Sequence, residues 1–165
     1  MSDATAFTDY RDRKKVADRG KSTEKTIQEC LERMQERLGL AFDWERVPDA
    51  RAAGGRFKPV AGDFRAFYAE HRRSANLEVK EVKTSVDRLP KKNFSRDKIA
   101  RCYRRSLTGV VTAVILHYTQ TGKWVVAPIS HFFDNDVPSW DTKAFPSFSS
   151  AQAALDFALG PLFNV

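Results

Sequence analysis

Residues 109–118, Gly-Val-Val-Thr-Ala-Val-Ile-Leu-His-Tyr, form a nearly continuous apolar run rich in β-branched side chains. A strand with one wet face alternates polar and apolar residues, whereas a run of this kind must be covered on both faces. The run therefore predicts a central buried strand. Gln120 to Lys123 supplies a turn, and Trp124 to Ala127 returns as the next strand.

The rest of the chain arranges itself around that strand. Ile27, Leu31, Met34 and Leu38 recur at helical spacing, which predicts a helix over 23–38 with Ser22 as its N-cap and Gly39 as its stop. Phe42 and Trp44 alternate with Asp43 and Glu45, as on a half-buried strand. Val47 to Gly62, with two prolines, Gly54-Gly55, Arg51, Arg56 and Lys58, reads as a long loop or protruding hairpin. Asp63–Ala69 and Asn76–Thr84 read as strands joined by the polar His71-Arg72-Arg73-Ser74. A basic loop, Arg88 to Asn93, leads to a helix capped by Ser95 and ending near Leu107, with Ile99, Cys102 and Ser106 facing inward. Ile129–Phe133 reads as a short helix, and Ser149-Ser150-Ala151-Gln152 as a capping box for a last helix ending at Gly160. Helices and strands in this order predict a mixed α/β sandwich around one sheet.

Chemistry is concentrated in the second and third strands. Glu78 and Lys80 stand two apart, so on a strand they project from the same face. If Asp63 converges with Glu78, the pair can hold Mg²⁺, which takes oxygen ligands and keeps several waters. A lysine beside them can position one of those waters for attack on a phosphodiester. Acid-x-Lys triplets also arise by chance in a chain with 28 Lys+Arg and 21 Asp+Glu, and a charged strand can simply be a solvated edge. Glu81-Val82-Lys83 repeats the triplet on the opposite face; it reads as solvated or DNA-facing, and a one-residue register slip would exchange the two triplets' roles. Glu24, three residues before Ile27, falls on the inward side of the first helical turn. It can complement the helix dipole or be a third acid aimed at a metal.

The chain's 165 residues suit one folded domain, with residues 1–20 as a basic arm and 21–165 as the body. Its net charge of +7 favours an anionic partner, of which nucleic acid is the commonest. No apolar run is long enough to span a membrane, and the polar N-terminus lacks the apolar core of a signal peptide. Cys30 and Cys102 form neither a disulfide framework nor a zinc pattern. These features predict a cytoplasmic, reduced protein. His71, His117 and His131 lack metal-ligand spacing and read as structural, and Trp44, Trp124 and Trp140 as core or edge aromatics.

Glu24, Asp63, Glu78 and Lys80, on the first helix and adjacent strands, resemble the site of the PD-(D/E)xK nuclease superfamily. Local matches narrow this to the RecU-type Holliday-junction resolvases. Arg19-Gly20-Lys21-Ser22-Thr23-Glu24 resembles that family's opening of the first helix, and Glu78-Val79-Lys80-Glu81-Val82 its Glu-Ala-Lys-Glu-Thr strand. Lys92-Asn93-Phe94 with Lys98-Ile99, then Trp124-Val125-Val126-Ala127-Pro128 and His131-Phe132-Phe133, resemble its later segments, so the likeness spans roughly residues 19–135. The chain departs from the pattern at Gly62, where a proline often precedes the aspartate, and at Lys98, where a glutamine is usual. The segment before Asp63 is short for the family's stalk. A short basic chain of this kind suits a phage-encoded or other compact relative, acting in the infected host's cytoplasm.

The resemblance implies a restriction-endonuclease-like mixed central sheet flanked by helices, and a Mg²⁺-dependent endonuclease, with Mn²⁺ substituting, that resolves four-way DNA junctions. It implies Asp63 and Glu78 as metal ligands with the Val79 carbonyl, Glu24 ligating through water, and Lys80 orienting the water and neutralising phosphate charge. Arg19 and Lys98 become candidate phosphate contacts, and Lys91, Lys92, Arg101, Arg104 and Arg105 a candidate DNA-binding surface. Two symmetric nicks imply a two-fold homodimer. The alternatives are another nuclease of the superfamily (repair, exonuclease or restriction type) or a non-catalytic DNA-binding protein on the same fold.

Overall fold

The structure, a computed structural model, describes residues 22–48, 61–134 and 136–164. The expected arm, Arg19 and most of the Val47–Gly62 segment lie outside the described residues.

The apolar run becomes strand β5 (Val111–Tyr118), with β3 (Arg73–Val82) parallel on one side and β6 (Lys123–Pro128) antiparallel on the other. With β1 (Phe42–Arg46), β2 (Phe64–Tyr68) and β8 (Ser147–Phe148) they form a six-stranded mixed sheet in the order β1-β2-β3-β5-β6-β8. Both faces are covered, as the run requires. On one face Ala113 and Ile115 pack with Ile27, Leu31 and Met34 of helix α1 (22–38) and with Leu155, Ala158 and Leu162 of helix α3 (Ala151–Phe163). On the other, Val114, Leu116 and Tyr118 pack with Ile99 and Cys102 of helix α2 (Arg96–Leu107), and with Phe94, Phe132 and Trp140. The α2 crossover is what lets β3 and β5 run parallel. Burying this apolar surface on two sides supplies the main drive to fold, at about 25 cal/mol per Å².

Several boundaries differ from expectation, each for a local reason. Ser22 is already helical, and its carbonyl accepts the Thr26 hydroxyl at 2.9 Å, so it is a first-turn residue rather than the N-cap. Gly39 does end α1, at φ +57. Strand β3 begins at Arg73, because Arg72 at φ +51 completes the reversal and leaves Arg73 and Ser74 to pair with β2. The N-cap of α3 is Ser150, accepting from the Ala153 N–H, one residue later than the expected box places it, and the Gln152 amide donates to Asp156 instead of closing a box. Helix α3 runs through Gly160 and Pro161 to Phe163, whose ring packs on Phe42 and Tyr68, while Arg73 donates to the Pro161 and Asn164 carbonyls. A two-stranded ribbon, β4 (Arg88–Pro90) with β7 (Ser139–Asp141), was not anticipated. Three-residue strands carry too little periodicity to be recognised.

Among the described residues, no helix is long and apolar enough to cross a membrane. Cys30 and Cys102 are free, buried thiols.

Candidate active site

The site is built where the start of β2 meets the second half of β3. Gly62 holds φ +78, and a Cβ there would lie 3.1 Å from the Leu77 carbonyl oxygen, so glycine is the residue that fits. A proline, locked near φ −65°, cannot take this position, which accounts for the departure from the resembled pattern. The Asp63 N–H then donates to the Leu77 carbonyl at 2.6 Å, clamping the aspartate against β3. Its Oδ2 accepts the Val79 N–H at 2.7 Å, and its Oδ1 accepts the Lys98 ammonium at 2.8 Å.

Alternation on β3 decides which triplet faces this point. Leu77 and Val79 enter the core under α1 and α3, so Glu78 and Lys80 project toward α2. Glu78 is fully buried. Its Oε1 lies 2.6 Å from the Lys80 Nζ and 2.8 Å from the Lys98 Nζ. Both ammonium groups thus meet Oε1, and Oε2 has no hydrogen-bond partner among the described residues. Burial pushes the Glu78 carboxyl above its ordinary range, as does the Asp63 charge, while Lys80 and Lys98 act in the opposite direction. Lys80 also stands 5.1 Å over the centroid of the Phe94 ring. Burial pulls the Lys98 ammonium down, but Glu78 and Asp63 together outweigh it and hold the group charged well above the usual lysine range. Cys102, behind these acids, has its thiol pushed up to about 11 by burial and by Glu78.

Asp63, Glu78, Lys80 and Lys98 are thus brought together. Lys98, expected on a phosphate-contacting surface, instead sits between the two carboxylates. Glu24 stands aside: its Oε2 accepts from Arg46 at 2.6 Å, a partly exposed pair. It remains within electrostatic reach, since burial first and then Asp63 raise its carboxyl above the ordinary range. Among the described residues, no group of three or more His, Cys, Asp or Glu side chains is gathered as a metal-ligand cluster. Asp63 and Glu78 are the two carboxylates that converge at this point, both on the Lys98 ammonium.

The second triplet lies on the other face. Glu81, expected to be solvated or DNA-facing, accepts the Thr23 hydroxyl at 3.0 Å and pairs with Lys83 at 3.2 Å, its side chain only 9% exposed. The Thr23 oxygen also contacts His117 Nδ1 at 3.1 Å. With its one proton donated to Glu81, the hydroxyl requires Nδ1 to be the donor. His117 stacks on Trp124 at 4.1 Å, and burial lowers its pKa. His71 and His131 contact the Phe163 and Asp141 carbonyls. Each histidine thus has a structural contact.

Lys92 is exposed and lines a cleft of about 410 Å³ with Glu24, Lys80, Asn93 and the paired Glu81 and Lys83. Lys91 and Arg101 are half-buried, while Arg104 and Arg105 are exposed in the last turn of α2, where they also complement the helix dipole. Sequence reasoning missed Arg46, Phe94 and the Thr23–Glu81–His117 set. No local spacing signals them, because each pairing spans strands or joins helix to sheet.

No protein-family model matches the sequence, and no curated protein matches it. Among solved structures it is similar to Hjc, a Holliday junction resolvase from the archaeal hyperthermophile Archaeoglobus fulgidus. The TM-score is 0.48 at 19% identity, covering 77% of this chain and 98% of that one. The chemistry of the site is therefore read from its own atoms.

Proposed function

We propose that this chain is a Mg²⁺-dependent endodeoxyribonuclease that nicks four-way DNA junctions in pairs as a homodimer. The observation that carries the metal-site reading is Glu78: a fully buried carboxylate with an unpartnered Oε2, beside Asp63 and Lys80. An unpaired buried oxygen is costly unless a cation or donor meets it. The donor set is all oxygen, which fits Mg²⁺ or Mn²⁺ rather than zinc.

Asp63 and Glu78 would hold the ion, with the Val79 carbonyl as a further oxygen. When bound, the ion would acidify a water and neutralise charge on the scissile phosphate. Lys80, fixed by Glu78 and Phe94, orients that water and meets the developing negative charge. Glu24, held by Arg46, bounds the cleft. Lys92 offers positive charge along it, and the chain's net charge of +7 suits a polyanion. Binding through backbone charge and branch shape needs no base contacts. The junction preference rests on the motif resemblance over roughly residues 19–135.

The charge balance favours a second reading, a DNA-binding protein without catalysis. The carboxylates of Asp63 and Glu78 already face the ammonium groups of Lys80 and Lys98, so the site is neutral without a metal.

The deciding experiment incubates the protein with labelled four-way junction and matched linear duplex, in Mg²⁺, Mn²⁺ or EDTA, beside Asp63→Asn. Metal-dependent paired nicks on the junction alone, absent in Asp63→Asn, are expected. Equal cutting of linear duplex would replace the junction reading with another nuclease. Binding without cutting in either metal would establish the non-catalytic reading.

A further inference from the structure

We infer that the Lys98 ammonium is the resident cation of the metal-free site, and that a divalent ion reaches Asp63 and Glu78 only by displacing it. The inference rests on the metal-dependent reading above and concerns how that site is loaded. Lys98 Nζ lies 2.8 Å from Asp63 Oδ1 and 2.8 Å from Glu78 Oε1, so one ammonium bridges the two carboxylates.

The alternatives open to the acids are few. Asp63 cannot offer its other oxygen freely, because Oδ2 is held by the Val79 N–H at 2.7 Å. The Asp63 backbone is clamped to Leu77 as well. Of the two Asp63 oxygens, Oδ1 is the one not tied to the β3 backbone, and it is the atom Lys98 now holds. Mg²⁺ sits about 2.0–2.1 Å from such oxygens, so an ion on Oδ1 would put a second positive charge beside the ammonium, and their repulsion favours its release.

Lys98 is built to leave. It lies in the first turn of α2, where Ser95 caps the Lys98 N–H, and a cation there opposes the helix dipole. Among the described residues, the carboxylates of Asp63 and Glu78 are what the ammonium pairs with. Its side chain is 23% exposed and carries four flexible carbons, so it has a path to water. Lys80 has no such freedom, since Glu78 and the Phe94 ring hold it from two sides. The same bridge explains how the metal-free protein tolerates Asp63 and Glu78 so close together: the Lys98 charge serves until the ion arrives. Metal affinity is then set by the competition between ion and ammonium.

The test measures metal binding rather than cutting. Mn²⁺ binding is followed by calorimetry in the parent protein and in Lys98→Met, which keeps the stem and removes the charge. The variant is expected to bind Mn²⁺ about tenfold more tightly, the scale of a one-site coupling. Equal or weaker binding by a folded Lys98→Met overturns the inference and leaves the nuclease reading standing. In the unaltered protein, an amine-reactive ester followed by mass spectrometry reads Lys98 directly, with Lys123, paired to Asp87 at 2.8 Å, as internal control. Lys98 labelling is expected to rise several-fold on adding Mg²⁺ while Lys123 stays constant, and this measurement decides the matter if Lys98→Met does not fold. Unchanged Lys98 labelling in saturating Mg²⁺ overturns the inference. Absence of Mn²⁺ binding to both proteins overturns the metal-dependent reading and this inference with it.

Discussion

The Val79 N–H donates to Asp63 Oδ2 at 2.7 Å, so the aspartate just before β2 is tied to the backbone between Glu78 and Lys80. One hydrogen bond thereby ties together a carboxylate pair whose members lie just before β2 and within β3. The Asp63 N–H to the Leu77 carbonyl, at 2.6 Å, makes the attachment two-point. A side chain held this way needs little reorganisation before it can act.

Asp63→Asn and Glu78→Gln are expected to lower junction cutting by at least about 10³-fold, several kcal/mol of transition-state stabilisation. Junction binding measured by gel shift in EDTA should persist in both variants. A variant that still cuts at the parent rate would remove that residue from the site.

Glu81→Gln separates the two acid-x-Lys triplets. Glu81 faces Thr23 on α1, on the opposite side of the sheet from Asp63. The variant should cut near the parent rate, and lose about 1 kcal/mol in denaturant unfolding through the weakened Thr23 bond. Abolished cutting with an unchanged unfolding midpoint would reverse the roles of the triplets.

Gly62→Ala should destabilise the protein by about 1–3 kcal/mol, because a Cβ at φ +78 is strained and would press on the Leu77 carbonyl at 3.1 Å. Cutting should fall as well, since Asp63 shifts with its neighbour. Thermal unfolding and initial rates check both.

Glu78 gives a pH dependence of definite sign. Its folded pKa lies above the ordinary 4.5, so between the two values the folded protein holds more protons than the unfolded chain. Stability due to this group is then greatest in acid and falls as pH rises through the folded pKa. In EDTA, the stability of the parent relative to Glu78→Gln should decline across that window. With Mg²⁺ present the trend should reverse, because the ion requires the ionised carboxylate. A pH-independent difference in EDTA would count against the raised pKa.

The legible parts were those governed by local rules. The Gly109–Tyr118 run announced β5, and the Ile27–Leu31–Met34 stripe announced α1. The Ser95 cap announced α2, whose side-chain oxygen indeed accepts from Lys98. Two-residue alternation placed Glu78 and Lys80 on one face of β3. The short strands β4 and β7 and the exact cap of α3 lay below what local pattern resolves, because neighbouring serines compete for the cap and three-residue strands have no period.

The sequence by itself determined the layered α/β architecture and the side of β3 on which Glu78 and Lys80 stand, since apolar periodicity and strand alternation are properties of adjacent residues. Only the tertiary structure decided that Lys98 lies between Asp63 and Glu78, that Arg46 takes Glu24, and that Glu81 belongs to Thr23 and His117. These partners come from separate helices and strands. Which charge meets which is settled when burial forces each ionised group to find a counter-ion, and that choice depends on how the elements pack.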